Sequence, residues 1–321
     1  RIQHVVNGLI SLLEQNKLAP SDVGSTDSIR HAHSQLHIWR VLGKCMAYAW
    51  QQHIDSQPID PELEAMGMPK PVVDPPPLDN ELAEHVLLLT AGTILTPHPL
   101  LNDELTAEAG NVLFHLSASN FDVVFAQIKL KIKNLLVQQS EEDPATSELL
   151  LIQHINFNAE RLADLVQELS RSLSSFKKNS TQIVATSLRV AIWNWINQYP
   201  LEFVLLCQSG HRMRGNPDVL FDIFYALADN TKRKVAYWPL MTMLLVLCPD
   251  HFLKAVSPQE KAGKPTNKHQ FLKALEKGLQ NPKLTDACAI SYVDICKAST
   301  YVRKTDFSPL RYQVPAIERA L

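Results

Sequence analysis

His31, His33 and His37 come closest to metal chemistry of any residues in this sequence. His33 and His37 are four apart, so a helix would set both imidazoles on one face, where two ring nitrogens could share an ion. A hydrolytic zinc helix also needs a Glu directly after the first His, and no Glu follows His33. Asp27 is the sole nearby candidate for a third ligand, so the pattern reads as a cluster of surface histidines and no metal ligand is assigned. The other signatures of chemistry are missing too. The chain has no phosphate-cradling glycine loop, no dinucleotide fingerprint, no nucleophile elbow and no aspartate-rich diphosphate motif. Cys45, Cys207, Cys248, Cys288 and Cys296 are scattered through apolar stretches without a CxxC pair, which reads as reduced, structural thiols. No catalytic, cofactor-binding or metal residue is therefore nominated, and no cofactor is expected.

The elements that would carry any site are helices. The 321 residues are 45% hydrophobic and 20% charged, with only 10 glycines, and apolar residues recur at three and four positions rather than two. Ala228 to Pro249 is the organising stretch. It is almost purely apolar from Val235 to Cys248, too short to span a bilayer, and so reads as a central buried helix, with Pro239 kinking it or marking a late first turn. Lys232, Arg233 and Lys234 then form its exposed first turn. Around it the periodicity predicts helices over 2–17 (apolar stripe Val5, Leu9, Leu12, Leu13), 26–53 (Leu36, Trp39, Leu42, Met46, Trp50) and 81–95, capped for the second by Thr26 or Asp27. It predicts more over 103–117, 120–139 (opened by a capping Asn120), 149–155 and 158–178 (capped by Asn158). The last are 180–198, 201–208, 217–228, 249–256, 269–279 and 285–300, the final one capped by Thr285.

Proline divides the chain. Pro58, Pro61, Pro69, Pro71 and Pro75 to Pro77 make 56–80 a linker or insertion, leaving N-terminal helices over 1–55, a main helical body over 81–302 and a tail over 303–321. Val72 to Pro77 lacks the flanking basic residue of an SH3 ligand. Successive helices are expected to pair as hairpins and stack, an all-α, degenerate HEAT/armadillo-like α-solenoid. A net charge of −2 and the lack of a periodic polar or aromatic set argue against nucleic-acid binding. No leader or membrane span is read, so the expected setting is cytoplasmic. The start at Arg1 and the end at Leu321 read as the ends of a piece of a longer protein.

Three stretches carry a family resemblance: Gly110-NVLFHLSASNFDVVFAQI, Ala191-IWNWINQYPLEF, and Ala228 to Pro249 with Cys296-KASTYV after it. In this order and at these separations they resemble the N-terminal region of neurofibromin and its fungal Ira relatives, closely from about Ala107 to Val302 and more loosely before Asp103. The proline-rich insertion suggests a fungal or other non-animal member. The resemblance implies a very large cytosolic Ras GTPase-activating protein, with HEAT-like solenoids flanking a central catalytic segment and building a homodimer. Such an activator inserts an arginine finger into the Ras site. Pro309-Leu310-Arg311 does not match the family's catalytic signature, so no arginine is assigned that role. The implied function is a non-catalytic scaffold that supports dimerisation and partner docking, with Ras met only through a segment outside these residues. The residues by themselves leave a second reading open: a stand-alone helical-repeat adaptor with its own peptide, lipid or metal site.

Overall fold

A computed structural model describes residues 2–16, 26–55, 78–96, 98, 100–137, 147–209, 213–249 and 266–302. The proline-rich segment 56–77, the acidic connector 141–144, the segment 250–265 and the tail 303–321 lie outside the described residues, as do the side chains of Thr26 and Asp27. The fold is all-α and of the helical-repeat kind, and the chain divides into two compact units.

The first unit holds α1 (Ile2–Gln15), α2 (Thr26–Asp55), α3 (Asn80–Leu95), α4 (Asn102–Ser119), most of α5 (Phe121–Val137) and a 3-10 segment, Leu149–His154. Its most extensive helix pairing, α2 on α4, skips one described helix, and α3 and α1 add to it by packing on α4 and α2. Stacked hairpins produce such pairings, because equivalent helices of successive hairpins lie side by side. Leu36, Trp39, Leu42 and Met46 form the buried side of α2, while Trp50 is half-buried. Gly43 lets α4 come close, since a Cβ there would sit 3.0 Å from the Asn111 amide. Arg40 Nε donates to Glu108 Oε1 across the same pair at 2.7 Å.

Two expectations need correction here. On α1 the buried stripe is Val6, Ile10 and Leu13, whereas Val5 and Leu12 are nearly half exposed. Helix α1 carries two adjacent apolar stripes, and periodicity alone cannot choose between them. Asn120 does not open α5 with its side chain. It closes α4, donating to the Leu78 carbonyl at 3.0 Å and accepting from Ser119 Oγ at 2.9 Å. Its neighbour Ser117 accepts from the Asn156 amide at 2.8 Å. The polar run Ser117 to Asn120 is thus buried and ties the ends of two other elements to α4, satisfying groups that would otherwise cost desolvation.

The second unit holds α6 (Ala159–Ser172), α7 (Lys178–Gln198), α8 (Pro200–Ser209), α9 (Pro217–Leu227), α10 (Thr231–Val246), α11 (Asn267–Gly278) and α12 (Thr285–Val302). Helix α10 is its centre. Every residue from Tyr237 to Val246 is buried, and α12, α7 and α9 provide most of the cover. Asn230 caps it by accepting from the Arg233 amide, and the first turn is exposed or half-exposed as expected. Pro239 is inside the helix, so it does not mark a late start; the carbonyl that loses its donor belongs to Val235, an exposed residue. The rings of Phe224 and Phe271 meet Tyr237 and Trp238 edge to face. Gly278 permits the close approach of α11, because a Cβ there would fall 2.4 Å from Cys288 Sγ and 3.1 Å from Trp238.

Two boundaries also differ from expectation. The helix after Asn158 ends at Ser172 and tightens into a 3-10 turn, Leu173–Ser175, so Lys178 begins the next helix instead of closing this one. Thr285 is not an accepting cap: its hydroxyl donates backward to the Asn281 carbonyl at 2.9 Å.

Two histidines of the first unit make its stability depend on pH. Gly110 leaves room for the His154 ring, since a Cβ at Gly110 would overlap it, and Gln153 Nε2 lies 3.1 Å from His154 Nε2. Burial lowers the pKa of both His154 and His115 below the ordinary 6.5. Unfolding returns both rings to that ordinary value, so the unfolded state takes up more protons as pH falls below 6.5. The folded state is unaffected above that value and loses stability from there down to the lowered folded values. Urea midpoints followed by circular dichroism should therefore be flat between about pH 7 and pH 8 and drop toward about pH 5.5. His115→Gln/His154→Gln should remove much of the drop, and an unchanged profile in the double variant would contradict the assignment.

Candidate functional site

The histidine cluster is the first place to look for chemistry. His33 and His37 are exposed on α2 and His31 is half-buried, with its Nδ1 lacking a hydrogen-bond partner among the described residues. No group of three or more His, Cys, Asp or Glu side chains among the described residues is placed to hold a metal ion. No disulfide joins the cysteines; Cys207, Cys248 and Cys288 are buried, and Cys45 and Cys296 are half-buried. Burial pushes the Cys288 thiol up to about 11, so it stays protonated and is a poor nucleophile at neutral pH.

The strongest ionic constellation is in the second unit and is structural in character. Asp294 is 1% exposed on α12. Arg189 of α7 grips it with two bonds, Nε to Oδ2 at 2.6 Å and Nη2 to Oδ1 at 2.7 Å. Trp193, one turn further along α7, adds its indole N–H to Oδ1 at 3.0 Å. A buried carboxylate with three donors is satisfied, and the planar guanidinium fixes the rotation of α7 against α12. Trp195, two residues on, faces another side of the helix. It is buried, and its N–H donates to Glu202 Oε2 at 2.7 Å. The same oxygen accepts from the Ala159 amide at 2.8 Å, placing a carboxylate at the N-terminus of α6, where the helix dipole favours negative charge. Asn158 caps that helix as expected by accepting from the Arg161 amide. At the far end of α7, Tyr301 donates to Asn197 Oδ1 at 2.6 Å.

Sequence reasoning missed Asp294 and Glu202. Asp294 had a visible signal, a lone acid in the apolar run from Ile290 to Ile295. Its partners lie 105 and 101 positions away, beyond the reach of local pattern.

The first unit contains a groove with a cavity volume of about 110 Å³. One wall is a stripe of α3: Glu84, Leu87, Leu88 and Ala91. The facing wall is the matching stripe of α5: Val124, Gln127, Ile128 and Lys131. Leu113 and Leu151 also line it. Both walls follow the i, i+3, i+4, i+7 spacing of a single helix face. Lys131 Nζ lies 2.8 Å from Glu148 Oε2 at one end, an ion-pair contact outside hydrogen-bond geometry. Lys129, by contrast, lies 4.4 Å from the centre of the Phe125 ring. Thus Lys129 and Lys131 hold separate local contacts.

No protein-family model matches the chain. No helix among the described residues is long and apolar enough to cross a membrane.

The Asp294 constellation predicts a double-mutant result. Arg189→Met leaves a buried carboxylate without its main partner and should cost about 3–5 kcal/mol in chemical unfolding. Arg189→Met/Asp294→Leu should recover most of that loss, because the charge is removed with its partner. Additive losses in the double variant would show that the pair is not coupled.

Proposed function

We propose that this chain is a non-catalytic helical scaffold from the N-terminal region of a Ras GTPase-activating protein of the neurofibromin/Ira kind, supporting self-association and partner docking for a catalytic segment elsewhere. The observation that carries the reading is where the polar residues of the family-like stretches go. Ser117 and Asn120 of the first stretch join α4 to the backbone at Asn156 and Leu78. Trp193, Trp195 and Glu202 of the second, and Tyr301 of the last, each bind a group on another helix. Side chains used in this way hold a frame rigid, which suits a protein whose product is geometry. A reaction centre would instead present strained or ionisable groups to a cleft. The cytoplasmic setting belongs to the same proposal.

The groove between α3 and α5 favours a second reading, an adaptor that docks a peptide by itself. The two readings are compatible, since a scaffold can carry a docking groove.

The purified chain added to GTP-loaded Ras should leave hydrolysis at the intrinsic rate, and a longer chain that includes the activating segment should accelerate it. An acceleration of about tenfold or more by this chain alone would need an arginine finger within it and would overturn the reading.

A further inference from the structure

We propose that the groove between α3 and α5 docks an amphipathic helix of a partner protein, one that inserts apolar side chains spaced a helical turn apart and carries a basic residue at the Glu84 end. The shape supports a helix. Two facing walls, each a single helical stripe, leave a trough whose lining alternates with the period of the helix that would lie in it. Leu88 stands at the lip with 70% of its surface exposed, the largest exposure among the described large apolar residues. Such a residue in a concave apolar setting is a contact waiting for a partner surface rather than a scattered surface leucine.

The volume narrows the occupant. About 110 Å³ is well below the several hundred Å³ of a site that engulfs a small molecule, and fits one or two side chains of a larger partner. The rim charge gives the partner its sign. At one end Lys131 and Glu148 neutralise each other. At the other, Glu81 and Glu84 are exposed on successive turns of α3, and no described residue pairs with either. The uncompensated charge is therefore acidic and lies at the N-terminal end of the α3 stripe. A Lys or Arg flanking the apolar anchors would meet it and set the direction in which the helix lies. The inference concerns the first unit alone; the GTPase assay tests the scaffold reading, and a different experiment tests this one.

The probe is a displayed library of amphipathic helices of about 18 residues, with leucines on one face and the flanking positions varied among Lys, Ser and Glu, selected on the purified chain. Enriched helices should carry Lys at one flank. Their affinity should fall by about tenfold or more with Leu88→Asp, and Glu84→Lys should switch the preferred flank from Lys to Glu. Both substituted positions are exposed, so thermal melting by circular dichroism should show both variants folded. The proposal is overturned if no helix is enriched, if enriched helices ignore both substitutions, or if they carry acidic flanks before the charge is reversed. Protection of the α3 and α5 stripes from hydrogen exchange by palmitate, with no helix giving it, would assign the groove to a lipid and overturn it as well.

Discussion

Helix α10 sets the main constraint on the second unit. Ten consecutive buried residues, Tyr237 to Val246, give it no face that tolerates water. A helix of this kind is stable only if neighbours surround it, and its burial contributes about 25 cal/mol per Å² of apolar surface. The demand propagates outward. Helices α7, α9 and α12 must lie against it at once, so each needs an apolar stripe turned inward and a means of holding that rotation. Gly278 and Pro239 belong to the same logic: the first removes bulk where α11 meets Trp238, and the second stands in a helix whose packing outweighs a lost hydrogen bond.

Apolar packing holds helices together but fixes their rotation weakly, because leucines and valines interchange at small cost. The polar locks supply what packing lacks. Asp294 is satisfied only when Arg189 and Trp193 are both in register, and Glu202 only when Trp195 and the first amide of α6 converge on one oxygen. Misregistered helices would leave a buried carboxylate unpaired, which is far costlier than a poor van der Waals contact. The first unit uses neutral groups for the same end, with Ser117 and Asn120 gripping backbone at Asn156 and Leu78. Rigid repeats built this way can present surfaces such as the α3–α5 groove in a fixed geometry.

How much of this could be read in advance follows from the range of each interaction. The central helix was legible because an unbroken apolar run has one soluble explanation, burial on every side. The α1 stripe was misread because Val5 and Leu12 are as apolar as Val6 and Ile10, and only the neighbouring helices decide between them. Asn120 and Thr285 have the residue types of caps, yet their side chains bond elsewhere, since a polar group near a helix end has several partners in reach. The partners of Asp294, Ser117 and Asn120 and the two walls of the groove were invisible to local pattern, for they lie dozens of positions apart. The family resemblance pointed to the stretches that contain several of the locks without saying what they do.

Native-state hydrogen exchange of the α10 amides in rising denaturant tests the central claim most directly. If the second unit depends on covering this helix, amides 240 to 246 should exchange only through the opening that also releases α7 and α12, with one shared denaturant dependence. Exchange of these amides through an earlier, smaller opening, while α7 and α12 stay protected, would mean that the unit holds together without α10 and would contradict the account.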